Sequence, residues 1–202
     1  MSEIVQQLVA SGLVTDPASP KGTLLAAATD LFRTQGYAKT TVRDLAKVVG
    51  IQSGSLFHHF KTKEDILAAV MAETIIVCTE QMKASLENTN QPRHKIKALV
   101  ECEIKSILGE TGRGLGVLVF EWNSLSENNR TRVLKLRRVY EGIWLTVFEE
   151  AKSEGILVME PALLRRFLTG ALSWIVNWYN PDGDMQVPDL AELAMRMLIK
   201  EQ

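Results

Sequence analysis

Reactive side chains in this chain are few, and the first place where chemistry could reside is the pair His58-His59 in "DLAKVVGIQSGSLFHHFKTKED", residues 44–65. Neighbouring residues on a helix point about 100° apart, and side chains meet only at i+3 or i+4, so the pair cannot ligate one metal from a single helix. No Cys, Asp or Glu lies close enough in sequence to orient either ring as a general base. His94, Cys102 and the nearby glutamates lack metal-ligand spacing. Cys78 and Cys102, each in a helical-looking segment, read as two reduced thiols rather than a disulfide, a redox switch being the alternative. In "TGRGLG", Gly112, Gly114 and Gly116 do not make Gly-x-Gly-x-x-Gly and no strand precedes them, so this stretch reads as a flexible connection between helices rather than a phosphate loop. We therefore expect no catalytic residues, no metal and no cofactor, and an enzyme is excluded.

What His58 and His59 do belong to is a surface built for recognition. The segment opens with Gln52, Ser53, Gly54 and Ser55, and small polar residues at a helix N-terminus allow close approach to a duplex, while the helix dipole and free N–H groups favour phosphate. Leu56 and Phe60 would anchor the segment, leaving Phe57 and His58 to face a groove and His59 and Lys63 to reach phosphates. Charge agrees with this. Residues 20–65 hold seven Lys/Arg against four Asp/Glu, whereas the remainder holds 16 against 20, although the whole chain is only at −1. A basic first third on an acidic body points to a polyanion as partner.

The elements that must position these residues are helical throughout. A short helix and the linker "TDPASP" form an N-terminal extension, residues 1–19, and Ser19-Pro20 starts a helix carrying Leu24, Leu25, Ala28, Leu31 and Phe32 on one face. A second helix begins at Thr41, boxed by Asp44, and stops at Gly50; a third covers about 53–59; a fourth starts at Thr62, boxed by Asp65, and runs to about 87. The last two of the first three are joined by a short Gly-containing turn, the helix-turn-helix pattern. Further helices are expected at about 92–108, 116–122, 126–153, 161–179 and 189–200, with no period-two alternation to make a sheet. The fold is all α, with a DNA-binding domain at 20–65 and a larger helical domain at 66–202.

"TTVRDLAKVVGIQSGSLFHHFKTKEDIL", preceded by "AAATDLFRTQGY", resembles the N-terminal DNA-binding domain of the TetR family of bacterial transcriptional regulators. The spacing holds over about 50 residues: Phe-x-x-x-Gly-Tyr, paired threonines, Leu-Ala, Gly-Ile and His-Phe-Lys-x-Lys-Glu. Phe57 departs from the tyrosine usual there, which removes one phosphate hydrogen bond worth about 1 kcal/mol. The resemblance implies that Thr41 touches phosphate, that Arg43 reaches a base, that Ser53, Ser55 and His58 with Gly54 between them read the major groove, and that Phe57, His59 and Lys63 hold the backbone. "WIVNWYNPDGDMQVPDLAEL" resembles, over a short stretch, the C-terminal part of TetR-family regulators of fatty-acid, sterol or aromatic catabolism, several of which sense acyl-CoA thioesters.

Beyond these motifs, Phe167, Ala171, Trp174 and Trp178 share a helical face, and Phe120, Trp122, Trp144 and Phe148 add to the aromatic content. Core packing accounts for most such side chains; as a set, Phe120, Trp122, Trp144, Phe148, Phe167, Trp174 and Trp178 are assigned to line an effector cavity. Leu190, Leu193, Ala194, Met197 and Leu198 on the last helix, with Gly170, Ser173 and Asn177 before it, are assigned to a homodimer interface. Arg130, Arg132, Lys135, Arg137 and Arg138 form a solvated face or hold an anionic ligand group such as coenzyme A phosphates. With no apolar run of membrane length and no basic leader before an apolar stretch, a cytoplasmic protein without membrane contact is expected. The expected function is a dimeric regulator, in this family most often a repressor, that binds a palindromic operator in double-stranded DNA and lets go on binding a hydrophobic or acyl-CoA-like effector. A helical adaptor, or a redox-responsive regulator using Cys78 and Cys102, are the alternatives.

Overall fold

The secondary structure follows from punctuation in the sequence more than from propensity. In the computed structural model, which describes residues 2–109 and 111–200, the order is α1 (Glu3–Ala10), α2 (Pro20–Gln35), α3 (Val42–Val49), a 3-10 segment (Ser53–His58), α4 (Lys63–Leu86), α5 (Pro92–Leu108), α6 (Thr111–Phe120), a 3-10 turn (Trp122–Ser124), α7 (Glu127–Ser153), α8 (Pro161–Ser173), a 3-10 turn (Trp174–Asn177) and α9 (Val187–Leu198). Ser19 caps α2 by accepting the Gly22 N–H at 3.0 Å, with Pro20 at the first helical position. Thr41 and Asp44 close a reciprocal box on α3, and Thr62 and Asp65 do the same at the start of α4. Gly50 ends α3 at φ 77°, a left-handed conformation that costs glycine least.

The described chain falls into two compact units, and they are not the expected 20–65 and 66–202. One comprises the chain as far as Val77 together with Thr111–Arg137; the other comprises Cys78 to the loop before Thr111 and the chain from Arg138 onward. Both α4 and α7 therefore contribute to each unit. In the first unit Leu24, Leu25, Ala28 and Phe32 of α2, Leu45 and Ala46 of α3, Leu56, and Ile66, Leu67 and Val70 of α4 are buried. Phe32 meets Tyr37 edge-on at 5.3 Å between ring centroids. The Glu64 carboxylate accepts hydrogen bonds from the Ser126 backbone N–H at 2.7 Å and Asn129 Nδ2 at 2.8 Å, which hold its pKa below the usual carboxylate range.

"TGRGLG" is not a flexible connection, because Gly112, Gly114 and Gly116 all lie inside α6. α6 packs on α2, and Gly114 is buried where a Cβ would fall 2.0 Å from Thr74 Oγ1 of α4. The glycine serves a close helix approach, a requirement that periodicity in the sequence does not reveal.

The second unit packs α5 against α8 and α9, with Ile96, Leu99, Val100, Ile104, Trp144, Phe148, Leu168, Leu190 and Leu198 buried. An isolated antiparallel bridge joins Leu157 to Ile199, and the Lys200 N–H donates to Ile156 O at 2.8 Å. The helix expected at 161–179 stops at Ser173 and tightens into the Trp174–Asn177 turn, so the i, i+7, i+11 register to Trp178 breaks. No helix among the described residues is long and apolar enough to cross a membrane.

Candidate nucleic-acid interface

The recognition segment is a single tight piece rather than a full α-helix. Ser53–His58 forms a 3-10 helix whose Leu56 is buried, with the His59 and Phe60 N–H groups both donating to Leu56 O at 3.0 and 3.1 Å. Leu56 anchors the segment, and what lies around it is turned outward. Gly54, Phe57, His58 and His59 are exposed, as are Thr41 and Arg43 at the start of α3, while Ser53 and Ser55 are half-buried. Six of the nine residues proposed to touch DNA thus stand on accessible surface.

Thr41 is already engaged: its hydroxyl donates to Asp44 Oδ2 at 2.7 Å and accepts the Asp44 N–H at 3.2 Å. These Thr41 hydrogen bonds, and secondarily Lys47, hold the Asp44 carboxyl below its ordinary range, so the box stays charged and closed. Lys63, assigned to phosphate, is also engaged within the fold. Its Nζ donates to Tyr37 O and Thr40 O at 2.8 Å each and lies 4.0 Å from the centre of the Tyr37 ring. An ammonium group that gives two of its three protons to carbonyls following α2 is a tie within the fold, and one proton is left for phosphate. The cations the sequence reading passed over are Lys39, Lys47 and Lys61, all exposed around the same edge.

The second unit departs further from expectation. Of the residues assigned to an effector cavity, Trp144 and Phe148 are buried with ring centroids 5.5 Å apart. Phe167, Trp174 and Trp178 are 67%, 63% and 55% exposed, and Phe120 is 80% exposed. Trp122 is half-buried beneath Arg137, whose guanidinium lies 5.8 Å from the ring centre, and belongs with Phe120 to the first unit. Conversely, Leu190 and Leu198 from the expected dimer face are core, Ala194 and Ser173 are half-buried, and Gly170, Asn177, Leu193 and Met197 are exposed. An apolar stripe at helical spacing marks a face to be covered, without saying whether the same chain covers it.

At the heart of this unit is a polar group among apolar neighbours. The Tyr140 hydroxyl donates to Glu103 Oε2 at 2.6 Å, and burial pushes the Glu103 carboxyl up to about 6 despite that bond and the Arg165 charge. Arg165 is itself paired with Glu141 at 2.8 Å. The buried indole N–H of Trp144 faces the Tyr140 oxygen without a well-formed hydrogen bond. Burial also raises the Cys78 thiol far above its ordinary value and the Cys102 thiol to about 11, so neither is a ready thiolate at neutral pH.

A capped helix, a glycine turn and a short exposed segment with basic residues at its edge define a helix-turn-helix DNA-binding protein. Residues 24–70 match the model for bacterial regulatory proteins of the tetR family, and residues 89–201, more than half the chain, match that for the tetracyclin repressor-like C-terminal domain. The chain belongs to the TetR family of bacterial transcriptional regulators, and it is a regulator rather than an enzyme. It is 26% identical to the HTH-type transcriptional repressor KstR2 of Mycolicibacterium smegmatis over 92% of this chain and 91% of that one. A crystal structure described as superantigen Pfit is 48% identical, with a TM-score of 0.84 over 98% of both chains. The structure of AibR in complex with isovaleryl coenzyme A and operator DNA shares the fold at a TM-score of 0.80, with 21% identity over 89% of this chain and 98% of that one.

Proposed function

We propose that this regulator is a cytoplasmic homodimeric repressor that holds a palindromic operator through Arg43, Gly54, Ser55, Phe57, His58 and His59 and releases it on binding a hydrophobic acyl-CoA-like effector. The observation that carries the reading is the pair of exposed surfaces. One is the recognition edge of the first unit. The other is the apolar face of the second, where Leu163, Phe167, Trp174, Leu193 and Met197 remain between 45% and 70% exposed. Aromatic and methionine side chains on one face are what a stable interface buries. A two-fold pairing through this face would present two recognition segments to half-sites one DNA turn apart, about 34–36 Å, or a multiple of it.

The relatives support the direction of regulation and the effector class. The Mycolicibacterium smegmatis relative is a repressor, and the AibR structure holds both a coenzyme A thioester and operator DNA. Such a ligand shifts operator binding only by its differential affinity for the two conformations, and a coupling of about 1–3 kcal/mol corresponds to about 5- to 150-fold.

The test is a gel-shift titration with the DNA upstream of the protein's own gene against random duplex, with and without a panel of acyl-CoA thioesters. Arg43→Ala is expected to cost about 1–3 kcal/mol on the upstream DNA and much less on random duplex. Equal affinity of the unaltered protein for both DNAs refutes the operator reading. Unchanged affinity across the panel refutes the effector class alone.

A further inference from the structure

A groove of about 650 Å³ in the first unit, beside the recognition segment, has the composition of a small-molecule site. Its floor is apolar: Ala69, Ala72 and Ile76 of α4, Leu136 of α7 and Phe60. Its rim is basic, carrying Lys21 from α2, His59 and Lys61 after the recognition segment, and Arg132 and Lys135 from α7. Two carboxylates also line it, and both are committed to caps and ties. Asp65 accepts the Thr62 N–H at 3.1 Å, while Glu73 accepts the Thr15 N–H at 3.1 Å and the Thr15 hydroxyl at 2.7 Å. Lys61, Arg132 and Lys135 form no ion pair among the described residues, and Lys21 lies over the Phe60 ring at 5.3 Å. Four lysine and arginine side chains against two carboxylates leave the rim net basic above an apolar floor, which matches a ligand that carries phosphate at one end and a flat or aliphatic group at the other.

We propose that this groove binds an organic phosphate, a nucleotide-like polyanion whose phosphates are held by Arg132, Lys135 and Lys61 and whose apolar part lies against Ala72, Ile76 and Leu136. A DNA strand is a poorer match. Its phosphates need accessible cations but no apolar floor, and here an apolar floor lines an open groove of about 650 Å³, within the range of small-molecule sites. Because His59 and Lys61 belong both to the rim and to the surroundings of the recognition segment, an occupant would draw on cations that duplex phosphates also use. Ligand and operator would then oppose each other. The inference does not rest on which effector, if any, the second unit holds.

The experiment is isothermal titration calorimetry of the full chain with three probes: sodium pyrophosphate, adenosine 3′,5′-bisphosphate and coenzyme A. Pyrophosphate should bind at least tenfold more weakly than the two nucleotides, because it leaves the apolar floor uncovered. Arg132→Gln with Lys135→Gln should weaken both nucleotides at least tenfold, with an unchanged circular dichroism spectrum. Lys61→Gln alone should weaken them by a smaller factor. Coenzyme A binding more tightly than the bisphosphate identifies a thioester head group as the natural source; equal binding identifies a free nucleotide, and either outcome supports the site. The proposal is overturned if no probe binds at millimolar concentration. It is also overturned if the double variant leaves nucleotide affinity unchanged, which would place binding elsewhere, or if the variant alters only the affinity and salt slope for random duplex DNA. Release of operator by acyl-CoA in gel shifts with no calorimetric effect of the double variant would sink this proposal while leaving the effector reading intact.

Discussion

Replacing Gly114 by alanine tests the contact that lets α6 lie close against α4, the helix that starts five residues after the recognition segment ends. An added Cβ would stand 2.0 Å from Thr74 Oγ1, 3.0 Å from its Cγ2 and 3.1 Å from its Cβ, against an ordinary carbon contact of about 3.5 Å or more. Rotating Thr74 away would break the hydrogen bond its hydroxyl donates to Val70 O at 2.8 Å, and turning its methyl inward would restore the overlap. The helices must therefore separate. Overpacking of this kind costs about 1–3 kcal/mol, while glycine to alanine inside a helix by itself gains about 1 kcal/mol.

Gly116 supplies the internal control, because a Cβ there meets only the Arg33 side chain at 3.8 Å, an ordinary contact. In urea denaturation Gly116→Ala should be neutral or stabilising, and Gly114→Ala should be less stable than it by about 1–3 kcal/mol. Thr74→Ala removes both atoms nearest the clash. The double variant should then recover much of the loss, with a coupling energy of about 0.5–3 kcal/mol. If Gly114→Ala and Gly116→Ala unfold at the same urea concentration, the close approach of α6 to α4 is not there and the explanation of this glycine fails.

Three further outcomes are expected. Lys63→Ala should lower stability by about 1–3 kcal/mol by leaving the carbonyls of Tyr37 and Thr40 without their donor, and should leave the salt dependence of DNA binding unchanged; a reduced salt slope would return Lys63 to the phosphate contacts. Leu193→Arg or Met197→Arg, on the exposed face of α9, should give helical monomers with weakened operator binding, whereas Leu198→Arg should unfold the second unit; dimers persisting in sedimentation for both exposed variants would move the interface elsewhere. Glu103 has a raised carboxyl pKa in the fold, from 4.5 to about 6, so its buried ionisation opposes folding: wild-type stability should fall as pH rises from about 4.5 through about 6 and then level off. Glu103→Gln stays neutral, and its stability relative to wild type should grow by about 2 kcal/mol between pH 4.5 and 7.5 in thermal melts; a pH-independent difference would place the carboxylate in contact with water.

The sequence alone determined what is local and repeated. The caps at Ser19, Thr41 and Thr62, the glycine at 50 and the stripe of Leu24, Leu25, Ala28 and Phe32 are read within four residues of each other, since capping and amphipathicity act within a turn. That is why the all-α fold, the helix-turn-helix and the family were legible before any coordinates. What the tertiary structure decided is everything that depends on which neighbour covers a face. Phe167, Trp174 and Trp178 satisfy the same spacing rule as a core stripe yet lie on the surface, and Leu190 and Leu198 satisfy the rule for an interface yet lie in the core. Lys63 has the sequence context of a phosphate contact, but two carbonyls 23 and 26 residues away claim two of its three protons. Glu103 looks like any helical glutamate until Tyr140, 37 residues on, and the surrounding apolar side chains enclose it. Burial, and the pKa and hydrogen-bond partners that follow from it, arise from contacts between residues far apart in the chain, and no short window of sequence contains them.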